Sequence, residues 1–100
     1  MNFEVIATSF FQKQAAALDS NSKRILREKI LLIKKNPFRY KRVRSKHFSR
    51  AHRVWLTIEH RTTRLVYAII GNKVYLACLL DRGRDYQELE KRLKSLRDGL

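Results

Sequence analysis

Acidic residues are scarce in this chain. Nine Asp and Glu stand against 23 Lys and Arg, a formal charge of +14 over 100 residues. Between Glu28 and Glu59 there is no carboxylate at all, while that interval carries ten cations, from Lys29 to Arg53. A two-metal nuclease needs clustered Asp and Glu, and this distribution argues against one. His47, His52 and His60 lack partners at metal-ligand spacing, so neither a metal nor a cofactor is expected. There is no Gly-rich phosphate loop. The single cysteine, Cys78, has no internal disulfide partner and lies in an apolar run, where a buried, inert thiol is expected. Gly and Pro are few, at three and one, and 44% of residues are hydrophobic, which argues against a disordered chain. No apolar run approaches the ~20 residues of a membrane helix. The opening MNFEVIATSFF lacks the basic start and small-residue cleavage site of a secretory leader. A cytoplasmic protein without a membrane partner is therefore expected.

What is present is one domain's worth of chain, residues 1–100, with room for one modest core. Phe3, Val5 and Ala7 alternate with polar or flanking positions and suggest a first strand. Thr8 or Ser9 caps a helix, and Ser9 with Gln12 fits a capping box. Asp19-Ser20-Asn21-Ser22 interrupts it. A second helix follows from about Ser22 to Lys35, with Ile25, Leu26, Ile30 and Ile33 on one stripe. Asn36-Pro37 stops it. The period then changes to two. Val54, Leu56 and Ile58 alternate with Arg53, Trp55 and Thr57. Residues 64–70 and 73–80 are mostly apolar strands, joined at Gly71-Asn72 by a tight turn. Leu89, Leu93 and Leu96 restore helical spacing. The order β-α-α-β-β-β-α predicts an α+β domain with helices packed on a small antiparallel sheet.

The segment KNPFRYKRVRSKHFSR, residues 35–50, holds most of the charge excess and reads as a basic loop. Charge of one sign on one segment fits a polyanion partner, nucleic acid first. RNA cleavage needs no metal, because the ribose 2′-hydroxyl attacks its own phosphate. The protein must supply a proton acceptor, a proton donor and cations for the developing charge. Arg suits the last role, and aromatic rings stack splayed bases. Arg53 and Arg64 on strands, and Arg82, Arg84 and Tyr86 after the last strand, are the candidate catalytic set. Lys41, Arg42, Arg44, Lys46, His47, Arg50 and Trp55 are the candidate RNA-binding set.

Asn36-Pro37-Phe38 at the end of the helical hairpin, RLVYAI at 64–69 and LLDRGRDYQEL at 79–89 resemble the RelE/ParE superfamily of toxins from type II toxin–antitoxin pairs. The resemblance spans nearly the whole chain and implies the RelE-like microbial-RNase-type fold. Its RelE-like branch implies an endoribonuclease cutting mRNA in the ribosomal A site, to a 2′,3′-cyclic phosphate, and an acidic RelB-like antitoxin as partner. The ParE-like branch would imply gyrase inhibition instead, and a non-catalytic RNA-binding module is the third alternative. Under the resemblance Arg64 falls at a phosphate-stabilising Arg, and Arg53 at a Lys implicated in proton abstraction or charge stabilisation. Arg82 or Arg84 falls near a second Arg, and Tyr86 at a substrate-orienting Tyr. The chain departs from the pattern at Trp55, where the family keeps a basic residue. An Arg is a poor base, so the candidate acceptors of the 2′-hydroxyl proton are His52 or His47, or Lys46 or Lys41 with a pKa depressed by its positive neighbours.

Overall fold

The computed structural model describes residues 3–83 and 86–100. Its elements are β1 (Glu4–Ala7), α1 (Ser9–Ala16), α2 (Ser20–Lys35), a 3-10 turn (Pro37–Arg39), β2 (Lys41–Val43), β3 (Ala51–Ile58), β4 (Arg61–Ile70), β5 (Lys73–Asp81) and α3 (Tyr86–Asp98). The five strands form one sheet in the order β1-β5-β4-β3-β2. The expected α+β class holds, with two amendments to the expected antiparallel sheet. β1 runs parallel to β5, with Val5 opposite Val74. The residues read as loop contain an edge strand, β2, antiparallel to β3. Its three residues carry two cations, so no apolar alternation announces it. Charged residues on a short edge strand also discourage pairing with other chains.

The first helix starts one residue before the expected capping box. Thr8 is the N-cap, its Oγ1 accepting from the Phe11 N–H at 3.2 Å. The Gln12 side chain donates back to the Ala7 carbonyl at 2.8 Å. Thr8 is chosen because its hydroxyl also lies 3.0 Å from the Leu76 carbonyl, tying the cap to the sheet. Asp19 caps α2, its carboxylate accepting from the Ser22 N–H at 2.7 Å, so that helix begins two residues before Ser22. Its end is fastened to the core: the Tyr67 hydroxyl donates to the Pro37 carbonyl at 2.6 Å. The β3–β4 turn is Glu59-His60, both with positive φ, 49° and 64°, as a type I′ turn requires. Glu59 holds it to α2, its N–H donating to Ser22 Oγ at 3.0 Å and its carboxylate accepting from the Asp19 N–H at 3.0 Å. At the β4–β5 turn Gly71 takes φ 61°, the left-handed conformation for which glycine is suited.

Both faces of the sheet are covered. On one, Phe11 of α1 and Leu26 and Ile33 of α2 pack on Val54, Leu56, Leu65, Tyr67 and Leu76. On the other, Leu89, Leu93 and Leu96 of α3 pack on Ala51, Val66, Ala68, Ala77 and Cys78. Small sheet residues bring α3 close, and its three leucines contribute about 2 kcal/mol each by burial. A one-residue register shift in β5 sets Val66 opposite Cys78 but Tyr67 opposite Leu76. Ala77 is the extra residue, so Ala77 and Cys78 both face α3. With both faces of the sheet covered, β5 reads as an unbroken apolar run. Among the described residues, no helix is long and apolar enough to cross a membrane.

Candidate RNA-binding and active site

Strand alternation decides which basic residues meet. In β3, His52, Val54, Leu56 and Ile58 point to the α1–α2 side, which leaves Arg53 and Trp55 on the α3 side. The register sets Trp55 opposite Arg64 and Lys41 opposite Arg53. Cross-strand partners share a face, so Lys41, Arg53, Trp55 and Arg64 lie on one patch of sheet. The Arg53 guanidinium carbon sits 4.6 Å from the Trp55 ring centroid and that of Arg64 sits 5.7 Å away. Trp55 keeps 40% of its surface exposed, so it is not part of a core. Arg53 and Arg64 are half-buried, and Lys41 is exposed. Two guanidinium groups held on one indole gain about 0.5–1 kcal/mol each as cation–π pairs. They also repel each other, and an anion between them relieves that repulsion.

The start of the turn after β5 is tied to β4. The Arg82 N–H donates to the Thr62 carbonyl at 3.0 Å, two residues before Arg64 on β4. Arg82 is exposed. The other candidate in this turn, Arg84, lies outside the described residues. Tyr86 opens α3 with its ring 47% exposed. Its hydroxyl reaches Glu90 Oε1 at 2.8 Å and also the Arg44 carbonyl. The hydrogen bond to Glu90 pushes the Tyr86 phenol above its ordinary range.

Glu90 had no role in the reading of the sequence. Its carboxylate also accepts from the Lys46 N–H at 3.1 Å and the Ser45 hydroxyl at 3.4 Å, and it lies 3.4 Å from His47 Nε2. The loop carrying Arg44, Lys46 and His47 is thereby fastened to α3 beside Tyr86. These contacts join residues over 40 positions apart, and no local spacing signals them.

Arg42 and Arg50 are not brought to this patch. Arg42 pairs with His52 and its guanidinium donates to the Ser49 carbonyl. The Arg50 guanidinium lies over the Phe38 ring at 5.2 Å, and Phe38 meets Phe3 and His52 on the α1–α2 side. His52, a candidate base, is 4% exposed. Its Nδ1 donates to the Tyr40 carbonyl at 2.9 Å and its ring stacks on Tyr67 at 5.6 Å. It is a core residue and is withdrawn as a proton acceptor. The signal was available: His52 has the parity of Val54 and Leu56. Among the described residues, no group of three or more His, Cys, Asp or Glu is placed to hold a metal ion.

A helical hairpin on one face, a five-stranded mostly antiparallel sheet and a C-terminal helix on the other face are the architecture of the RelE toxins. Superposition bears this out across the chain. An Escherichia coli RelE toxin mutant in the free state matches with a TM-score of 0.75 at 16% identity, over 96% of this chain and 99% of that one. The isolated E. coli RelE toxin matches at 0.68 and 16%, over 98% and 99%. The intact E. coli RelBE toxin–antitoxin complex contains a chain matching at 0.67 and 18%, over 82% and 99%. The chain has the RelE fold. No family model matches its sequence. No curated protein matches it either.

Proposed function

We propose that this chain is the toxin of a type II toxin–antitoxin pair and acts as a metal-independent endoribonuclease on ribosome-bound mRNA. The observation that carries this reading is the Arg53–Trp55–Arg64 cluster on an open patch of sheet, with Lys41 beside it. A base stacks on Trp55. The phosphate on its 3′ side then lies between Arg53 and Arg64, where charge builds up as the 2′-oxygen attacks phosphorus. The 2′-hydroxyl proton passes to Lys41 when its side chain is the neutral amine, and the 5′-oxygen leaves with a proton from solvent. The products are a 2′,3′-cyclic phosphate and a 5′-hydroxyl. Arg82, tied to β4 through Thr62, and Tyr86, at the start of α3, are assigned to the flanking nucleotides. The charge of +14 suits ribosomal RNA as the platform and an acidic, RelB-like antitoxin as the neutralising partner.

The test is primer extension on mRNA from a translating extract given the purified protein. Codon-phased 5′ ends that require ribosomes support the reading. Arg64→Ala should fold normally and lose on the order of a hundredfold or more in cleavage rate, as for other single electrostatic stabilisers. An equally active, equally toxic Arg64→Ala protein removes the central claim. Intact mRNA with inhibited gyrase supercoiling would replace this reading with a gyrase-directed one.

A further inference from the structure

Three hydrogen-bonding groups and one imidazole nitrogen converge on the Glu90 carboxylate. Oε1 accepts from the Lys46 N–H at 3.1 Å and lies 2.8 Å from the Tyr86 hydroxyl, whose one proton is shared between Glu90 and the Arg44 carbonyl. Oε2 has the Ser45 hydroxyl and His47 Nε2 each at 3.4 Å. The three loop groups are set in a tight turn by the His47 N–H, which donates to Ser45 Oγ at 3.0 Å. The Glu90 and His47 side chains are each only 14% exposed. Arg44 and Lys46, flanking the turn, are exposed, and the nearest acids in the sequence on either side are Glu28 and Glu59.

A backbone N–H, two hydroxyls and an imidazole edge, set among cations, are the donors that bind phosphate oxygens. A carboxylate presents the same kind of acceptor oxygens, on a smaller scale. We propose that residues 45–47 and Tyr86 form a phosphate subsite for the RNA backbone, which Glu90 occupies in the unbound protein as an internal stand-in. A side-chain rotation of Glu90 empties the subsite, and a backbone phosphate takes the carboxylate's place among these groups. The subsite shares no residue with the Arg53–Trp55–Arg64 patch. Its physiological ligand rests on the RNA reading above; its chemistry, a phosphodiester held by this turn, does not. In the unbound state the same contacts tie the basic loop to α3.

The experiment uses the full chain and a short, fluorescently labelled oligothymidylate. Lacking 2′-hydroxyls, this probe reports binding alone, so absence of mRNA cleavage would not affect the result. Glu90→Ala should bind it about tenfold more tightly than the parent, the order expected of one charge-assisted contact. The slope of log affinity against log salt should steepen by about 0.7, the share of one additional phosphate on a single strand. Inorganic phosphate should compete measurably with the probe in the variant and not in the parent. Adding Ser45→Ala to Glu90→Ala should remove most of the gain. Asp98→Ala, which deletes an equal charge at the far end of α3, should change affinity less than twofold. Glu90→Gln, which keeps an acceptor without the charge, should fall between parent and Glu90→Ala, and it decides the matter if Glu90→Ala fails to fold. Unchanged or weaker binding by the folded Glu90 variant, with an unchanged salt slope, overturns the proposal and leaves Glu90 as a structural staple. A gain matched by Asp98→Ala overturns it equally, since that would be net charge alone.

Discussion

Replacing His52 tests whether the sheet's buried imidazole is structural or chemical. The ring is 4% exposed, stacked on Tyr67 with an interplanar angle of 12° and edge-on to Phe38 at 6.2 Å. Its Nδ1–H holds the Tyr40 carbonyl at the entrance to β2, at 2.9 Å. Truncation to Ala forfeits burial of the ring, roughly 1–1.5 kcal/mol, the aromatic pairing, about 1 kcal/mol, and the hydrogen bond, about 1 kcal/mol. The expected loss is about 3 kcal/mol, inside the range for emptying a buried aromatic site. For a chain of this length that lowers the melting temperature by roughly 12–24 °C. His52→Phe keeps the ring and loses only the donor, so its cost should be about 1–2 kcal/mol. The assay pairs thermal unfolding by circular dichroism with mRNA cleavage at a temperature where both proteins are folded. His52→Phe should cleave within a few-fold of the parent. A folded His52→Phe protein slowed a hundredfold would refute the structural assignment and restore His52 as the proton acceptor.

Trp55→Ala should leave the melting temperature within a few degrees but weaken binding to single-stranded RNA about tenfold, since one base–aromatic stack contributes about 1–3 kcal/mol; equal affinity by fluorescence titration would remove Trp55 from the site. Gln14→Ala should cost about 2 kcal/mol, because its amide satisfies both the Leu79 N–H at 2.7 Å and the Leu79 carbonyl at 2.8 Å and leaves both unpaired when removed. Hydrogen exchange at Leu79 should accelerate to match, and an unchanged rate would contradict the assignment. Burial pushes the Cys78 thiol up to about 12. An unfolded chain ionises its Cys near 8.5–9, so above that pH the unfolded state loses its proton first and stability falls as pH rises toward 12. The expected slope is up to about 1.4 kcal/mol per pH unit. Urea unfolding between pH 9 and 11 should show a shallower pH dependence for Cys78→Ala than for the parent, and identical slopes would count against it.

Local patterns carried much of this fold. The alternation Val54, Leu56, Ile58 announced β3 and its two faces. Asn36-Pro37 marked the end of α2, and the Leu89–Leu93–Leu96 spacing marked the buried stripe of α3. What they could not carry was long-range. The parallel pairing of β1 with β5 joins segments some 70 residues apart, and nothing in Phe3–Ala7 specifies a partner or a direction. β2 hides behind its charges, with Val43 its only apolar residue. The candidate site was legible to the extent that parity is legible: Arg53, Trp55 and Arg64 meet because a period of two and one hairpin register put them together. The same parity buries His52 and directs Arg42 to the other side of the sheet. Glu90 became visible only in three dimensions, because helix spacing explains why Leu89 is buried but not why its neighbour meets a loop.

The Gln14 amide and the Thr8 hydroxyl bear on more than local stability. β1 is four residues long and β5 is nine, so the outer flank of β5 runs on past its neighbour. Thr8 meets the Leu76 and Ala77 carbonyls, and Gln14 completes the ladder at Leu79. Side chains of the first helix thus finish a strand that the backbone leaves unfinished. On a hydrophobic strand that would otherwise be a template for adding a foreign strand, the Leu76, Ala77 and Leu79 backbone groups are taken by these side chains. The rims left for a polypeptide to extend the sheet are those of β1 and of the cation-bearing β2. A partner that docks in that way must choose between a short rim near the N-terminus and one that admits acidic sequences in preference to all others.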